Sequence, residues 1–132
     1  MSDKKHIILI DDEPIIHMSL EMILFGSNYR KTSIIDPDEA MQYSKSKDKY
    51  DKPDLLIIDL MMGHVSGLDV IYSIRSNTYF DNTPIILYTG YREQIINEDE
   101  MSKELNIACV LSKMIYKDDL LRIIDSLISS SN

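Results

Sequence analysis

Four apolar residues in a row, Leu55-Leu56-Ile57-Ile58, deliver a single carboxylate, Asp59, into a loop bounded by Gly63 and Gly67. No other stretch limits the possible folds of this chain so strongly. The run is β-branched at its end and fenced by Pro53 on one side and Gly63 on the other. It suits a strand covered on both faces, as strands of parallel sheets are. Such strands present ligands at their carboxyl ends, which is where Asp59 sits. A carboxylate at the edge of so apolar a segment is costly to bury alone. Either it faces solvent or a cation and hydrogen-bond donors await it.

The rest of the chain repeats that rhythm. His6-Ile7-Ile8-Leu9-Ile10 is a second β-rich run ending in carboxylates, Asp11-Asp12-Glu13, with Pro14 suited to the first turn of a helix. Ile15, Ile16, Leu20, Ile23 and Leu24 then recur at helical spacing as far as Gly26. Residues 29–35 read as a second strand. Asp36-Pro37-Asp38-Glu39 is a capping signature, with Asp36 as N-cap and Glu39 placed to bond back, opening a helix to about Lys47. The charged residues 45–52 form a loop into the central strand. Gly67 opens a helix with Leu68, Val70, Ile71 and Ile74 as its buried stripe, broken by Ser76-Asn77-Thr78. Thr83-Pro84 introduces a fourth strand over 85–90, ending in the Thr89 hydroxyl. Ile95, Ile96, Met101 and Leu105 give residues 91–105 a helix with a narrow apolar face. Residues 107–111 make a fifth strand ending in Ser112-Lys113, and Leu120, Leu121, Ile124, Leu127 and Ile128 an amphipathic closing helix over 118–128. Five strands alternating with five helices predict an α/β fold with right-handed crossovers, a parallel sheet and a site at its carboxyl edge.

At 132 residues the expectation is one domain over 1–132, with a core of about 6–128 and a flexible tail at 129–132. Neither a leader peptide nor an apolar run of membrane-spanning length is evident, so a cytoplasmic protein is expected. A net charge of −8 argues against a nucleic-acid surface, which needs clustered Lys and Arg, and points to protein partners. The single cysteine, Cys109, is expected to be a core residue between Ala108 and Val110. His6, His17 and His64 lack metal-ligand spacing and are assigned surface or packing roles, and the methionines, Met61 and Met62 included, are gap fillers.

The strand ends bring together Asp11 and Asp12, Asp59, Thr89 and Lys113. Taken singly, these are an N-cap run, a turn hydroxyl and a solvated lysine. At one edge of a parallel sheet they form a constellation. Three carboxylates repel one another and need a compensating cation. Against one Lys they leave a charge of −2, which one Mg²⁺ cancels, and hard oxygen ligands in an open loop suit that ion. A carboxylate so placed can attack a phosphoryl group to form an aspartyl phosphate, with Lys113 neutralising charge and the Thr89 hydroxyl bonding an oxygen.

In these five positions the chain, from about His6 to Ile128, resembles the receiver domain of a two-component response regulator. The resemblance implies a flavodoxin-like fold, a doubly wound five-stranded sheet in the order 2-1-3-4-5. It implies that Asp59 is the phosphoacceptor, that Asp12 and Asp59 bind Mg²⁺ together with the backbone carbonyl of Met61, and that Asp11 acts mainly through water. It further implies a histidine kinase or histidine phosphotransfer protein as donor, and a phosphorylation-activated switch, monomeric or weakly dimerising when phosphorylated, whose downstream target is a protein. Substrate turnover is not expected beyond slow self-dephosphorylation. Gly63 and Ser66 stand where the family commonly has proline and an acidic residue. Met114 replaces the proline that usually follows the lysine through a cis bond, so a trans Lys113-Met114 peptide is expected. Val110 replaces a common aromatic, leaving Tyr88, Tyr91 or Tyr116 to report switching, or a different output face. Those departures keep open a degenerate receiver that binds partners without phosphorylation. A phosphatase resembling haloacid dehalogenases is disfavoured, because the second aspartate that it requires is here Met61.

Overall fold

A computed structural model of the chain describes residues 4–90, 95 and 97–130. Five long strands, β1 (Lys5–Ile10), β2 (Tyr29–Ile34), β3 (Leu55–Asp59), β6 (Ile85–Thr89) and β7 (Cys109–Ser112), form one parallel sheet in the order β2-β1-β3-β6-β7. Counted among themselves, this is 2-1-3-4-5, the expected flavodoxin-like order. The helices are α1 (Pro14–Leu24), α2 (Pro37–Gln42), α3 (Gly67–Arg75), α4 (Glu98–Glu104) and α5 (Lys117–Ser130). A hairpin not foreseen from the sequence, β4 (Met61–Met62) with β5 (Val65–Ser66), follows Asp59 and turns at Gly63, whose φ of 59° suits glycine.

The central strand β3 is buried at every residue because apolar layers cover both its faces. Ile8, Ile10, Leu56, Ile58 and Leu87 point to one layer, where Val70, Ile71 and Ile74 of α3 meet Phe80 and Tyr43. Ile7, Leu9, Leu55, Ile57 and Ile86 point to the other, against Leu20 and Leu24 of α1 and Leu120, Ile124 and Ile128 of α5. The period-2 alternation of a strand sorts consecutive isoleucines and leucines between two cores.

Several boundaries differ from expectation. Helix α2 stops at Gln42 rather than near Lys47, because Tyr43 is fully buried against Tyr50 and Phe80, each with ring centroids 5.4 Å away. Asp36 caps α2 through the Asp38 amide as read, but Glu39 accepts from the Tyr50 hydroxyl rather than returning to the cap. Strand β2 ends at Ile34, leaving Ile35 exposed. Strand β7 starts at Cys109, since Asn106 takes a left-handed turn (φ 52°) and Ala108 is still joining the ladder through Ile85 O at 2.8 Å. Cys109 is half-buried, packed against the α1/α5 core rather than inside it. Ser129 and Ser130, read as part of a flexible tail, continue α5.

In α1, Ile15 faces outward and His17 takes a buried position with Leu20 and Leu24. The narrow contact expected of α4 is found: none of its residues is buried, and Met101 only rests against the core. Tyr91 and Ile96 lie outside the described residues. No helix among the described residues is long and apolar enough to cross a membrane.

Candidate functional site

Register brings the strand ends together. Ile10 lies opposite Ile58, and Asp59 opposite Tyr88, while Thr89 pairs with Ser112, so Asp11, Asp59, Thr89 and Lys113 emerge at one edge of the sheet. Asp11 is tied down by its own amide, which donates to Ile34 O at 3.1 Å, and by its Oδ1, which accepts from the Glu13 amide at 2.9 Å. Lys113 is placed by its amide, which donates to Thr89 O at 2.9 Å, and Thr89 is fully buried beside it.

The Lys113 ammonium reaches three carboxylates: Asp11 Oδ2 at 2.9 Å, Glu13 Oε1 at 3.0 Å and Asp59 Oδ1 at 3.2 Å. Burial alone would lower its pKa. The bonds to Asp11 and Glu13, reinforced by the charges of Asp11 and Asp59, outweigh that and hold it well above the ordinary lysine range. Burial and the neighbouring Asp11 charge push Asp59 up to about 6, against the opposing pull of Lys113. Burial also raises Asp11, opposed by the Glu13 amide and Lys113. One lysine therefore leaves the acidic cluster under-compensated.

Two oxygens carry that deficit. Asp59 Oδ2 is buried and accepts no hydrogen bond, while Asp11 Oδ2, equally buried, meets only the Lys113 ammonium that it shares with Glu13 and Asp59. One carboxylate oxygen from each of Asp11, Asp12, Glu13 and Asp59 lies within 4.8 Å of the others. A buried oxygen without a donor, Asp59 Oδ2, in a carboxylate cluster of this spacing with a single shared lysine, fits a hard divalent cation such as Mg²⁺.

The loop after Asp59 is fixed by close backbone approach. A Cβ on Gly67 would lie 1.9 Å from Asp59 O, so only glycine fits there. Ser66 caps α3 by accepting from the Leu68 amide at 3.2 Å, so the helix signal read at Gly67 begins with the residue before it. Met61 begins β4 with its amide 3.5 Å from Asp59 Oδ1, and its side chain is half exposed, unlike the buried Met62. His64 Nε2 meets Asp38 Oδ1 at 2.9 Å, linking the hairpin tip to α2.

The peptide after Lys113 is trans, as expected from Met114. Met114 turns outward, its amide donating to Ser112 Oγ at 3.0 Å. Of the tyrosines considered as reporters, Tyr88 is buried on the α5 side and Tyr116 is exposed. The sequence reading omitted Glu13 from the site, although it directly follows the acidic pair, and its reach to Lys113 depends on a contact 100 residues away.

Residues 7–125 match the response regulator receiver domain. The chain belongs to that family. A relative in Mycobacterium tuberculosis, the probable transcriptional regulatory protein TcrX, is 28% identical over 84 residues, 64% of this chain and 33% of the relative. The 3′,5′-cyclic-nucleotide phosphodiesterase regA of Dictyostelium discoideum is 27% identical over 96% of this chain and 16% of its own length. The transcriptional regulatory protein BaeR of Escherichia coli is 30% identical over 67% of this chain and 34% of its own. This receiver domain thus spans about a third or less of these relatives. Among solved structures, a CheY-like receiver domain protein from Methanospirillum hungatei superposes with a TM-score of 0.82 at 18% identity, covering 98% of this chain and 97% of that one. The response regulator TrrA of Thermotoga maritima, solved in complex with Mg²⁺-BeF, gives 0.74 at 28% identity, over 93% and 98%. Receiver domains are in general non-enzymatic switches of two-component systems. They bind Mg²⁺ at an acidic pocket and interact with histidine kinases or phosphotransfer proteins.

Proposed function

We propose that this receiver domain accepts a phosphoryl group on Asp59 from a histidine kinase or histidine phosphotransfer protein and signals through protein contacts. The observation that carries this reading is the buried Asp59 Oδ2, without a donor, beside a carboxylate cluster and 3.2 Å from Lys113 through its other oxygen. Asp11, Asp12 and Asp59 with the backbone carbonyl of Met61 would hold Mg²⁺, which supplies positive charge for the transferring oxygens. Asp59 then presents an ionised oxygen to phosphorus. The P–N bond of the phosphohistidine breaks as the P–O bond forms, and the imidazole leaves with the bonding pair. Lys113 neutralises the oxygens that arrive, and Thr89 donates its hydroxyl to one of them.

The donor's docking face follows from α1. Ile15, Met18, Met22 and Phe25 are all exposed and lie at 3-4-3 spacing, the seam along which one helix receives another. Ile15 sits three residues from Asp12. A helical phosphotransfer partner laid along this seam would hold its histidine near Asp59. On the opposite side, α4 has no buried residue, and an added phosphate of about −2 charge drawing on Lys113 and Thr89 biases that lightly held surface.

Intact-mass spectrometry after incubation with Mg²⁺ and acetyl phosphate tests the reading. A Mg²⁺-dependent phosphoryl adduct on the native chain, absent from Asp59→Asn, is expected. No adduct even with Mg²⁺ bound would replace it with a phosphorylation-independent binding module.

A further inference from the structure

His17 is the one polar side chain that α1 sends into the core. It is nearly fully buried, and its Nε2 lies 2.6 Å from the backbone carbonyl oxygen of Asp11. A carbonyl only accepts, so the ring donates from Nε2; the opposite tautomer would set two lone pairs against each other. Nδ1 is buried and meets no hydrogen-bond partner among the described residues. Among the described residues, the bond to Asp11 is therefore the only polar contact of the ring.

That contact falls on the peptide joining the two acidic residues. The Asp11 carbonyl and the Asp12 amide share one plane, so fixing the carbonyl restrains ψ of Asp11 and φ of Asp12 together, and with them the bearings from which both carboxylates leave the backbone. Asp11 is already held by the Ile34 carbonyl on its amide side and by the Glu13 amide at Oδ1. The His17 bond adds the remaining backbone point, where β1 has ended and, among the described residues, no neighbouring strand supplies a donor to that carbonyl.

We infer that His17 is a positioning residue for the cation site: through the Asp11 carbonyl it holds the Asp11-Asp12 pair in the orientation that binds a divalent ion. This rests on the proposed Mg²⁺ site. Groups that orient metal ligands from behind typically change affinity by about tenfold or more when removed.

The test compares His17→Gln with His17→Met, which match in length and flexibility and differ in the donor. Mg²⁺ dissociation constants are measured by calorimetry on the unphosphorylated protein, with thermal unfolding in EDTA as a stability control. His17→Met is expected to bind Mg²⁺ about tenfold more weakly than the native chain, and His17→Gln to recover most of the loss. Equal constants for the two variants, both folded, would overturn the proposal. Should His17→Met not fold, the imidazole nitrogens of the native protein serve instead. Long-range ¹H–¹⁵N spectra are expected to report an Nε2–H tautomer whose Nε2 resonance moves on Mg²⁺ addition, and an unmoved Nε2 would equally overturn it. Native protein that binds no Mg²⁺ in calorimetry would instead bring down the site reading itself.

Discussion

Replacing Asp59 by Asn should stabilise the metal-free protein, and the size of the gain can be worked from the site. The Asp59 carboxyl is raised from an ordinary 3.8 to about 6 because burial and Asp11 penalise its charge more than Lys113 relieves it. At 1.36 kcal/mol per pH unit, holding that charge at pH 7 costs the native state about 3 kcal/mol. Asn keeps the shape and removes the charge. For a chain of 132 residues, about 3 kcal/mol corresponds to a rise in Tm of about 10 °C. The pH dependence has a definite sign. Between about pH 4 and 6 the native state binds a proton at Asp59 that the unfolded chain does not, so wild-type stability falls as pH rises through this window. The advantage of Asn should therefore be full at pH 7, shrink as pH drops through 6, and vanish near pH 4. Mg²⁺ should nearly cancel it, since an ion at one hundred times its Kd adds about 2.7 kcal/mol to the wild type alone. Urea unfolding of both proteins from pH 4 to 8, with EDTA and with Mg²⁺, measures all of this. Equal stabilities at pH 7 in EDTA, or a gap that does not close toward pH 4, would refute the account of Asp59 as an under-compensated buried charge.

Three further outcomes follow from single contacts. Gly67→Ala places a Cβ against the Asp59 carbonyl and should cost about 3 kcal/mol in denaturant unfolding; a loss below about 1 kcal/mol would mean that the loop relaxes freely. Glu13 shares Lys113 with the site from a half-exposed position, a pair worth about 0.5–1 kcal/mol at most, so Glu13→Gln should speed loading from acetyl phosphate two- to fivefold at saturating Mg²⁺, and an unchanged or slower rate counts against competition for the lysine. Ile15→Glu puts a charge in the α1 seam and should cut transfer from a histidine phosphotransfer protein by about tenfold or more while leaving acetyl phosphate loading intact; equal losses with both donors would exclude a docking role.

Much of this was legible because the information is local. Apolar runs of four or five residues, each stopped by Asp, Thr or Lys, fix a parallel α/β sheet and name the edge at which it gathers charge. Asp36 capping α2, the buried stripe of α3 and the lightly held α4 are likewise properties of a few neighbouring residues, and the trans peptide at Lys113 follows from Met114 alone. The misplaced boundaries have a common cause. Helix α2 ends early because Tyr43 turns in to meet Tyr50 and Phe80, and β7 starts late because Asn106 turns left-handed while Arg75 holds the carbonyls of Leu105 and Asn106. These contacts join segments far apart in sequence, which local propensity does not register.

The same division runs through the site. By itself the sequence determined that Asp11, Asp12, Asp59, Thr89 and Lys113 stand at strand ends, because hydrophobic periodicity dictates where strands stop. Only the tertiary structure decided that Glu13 joins the lysine, that His17 turns inward to the Asp11 carbonyl while Ile15 turns out, and that one oxygen of Asp59 is left without a donor. Those outcomes depend on distances between groups brought together by packing, and the energy of a buried charge is set by what surrounds it in space.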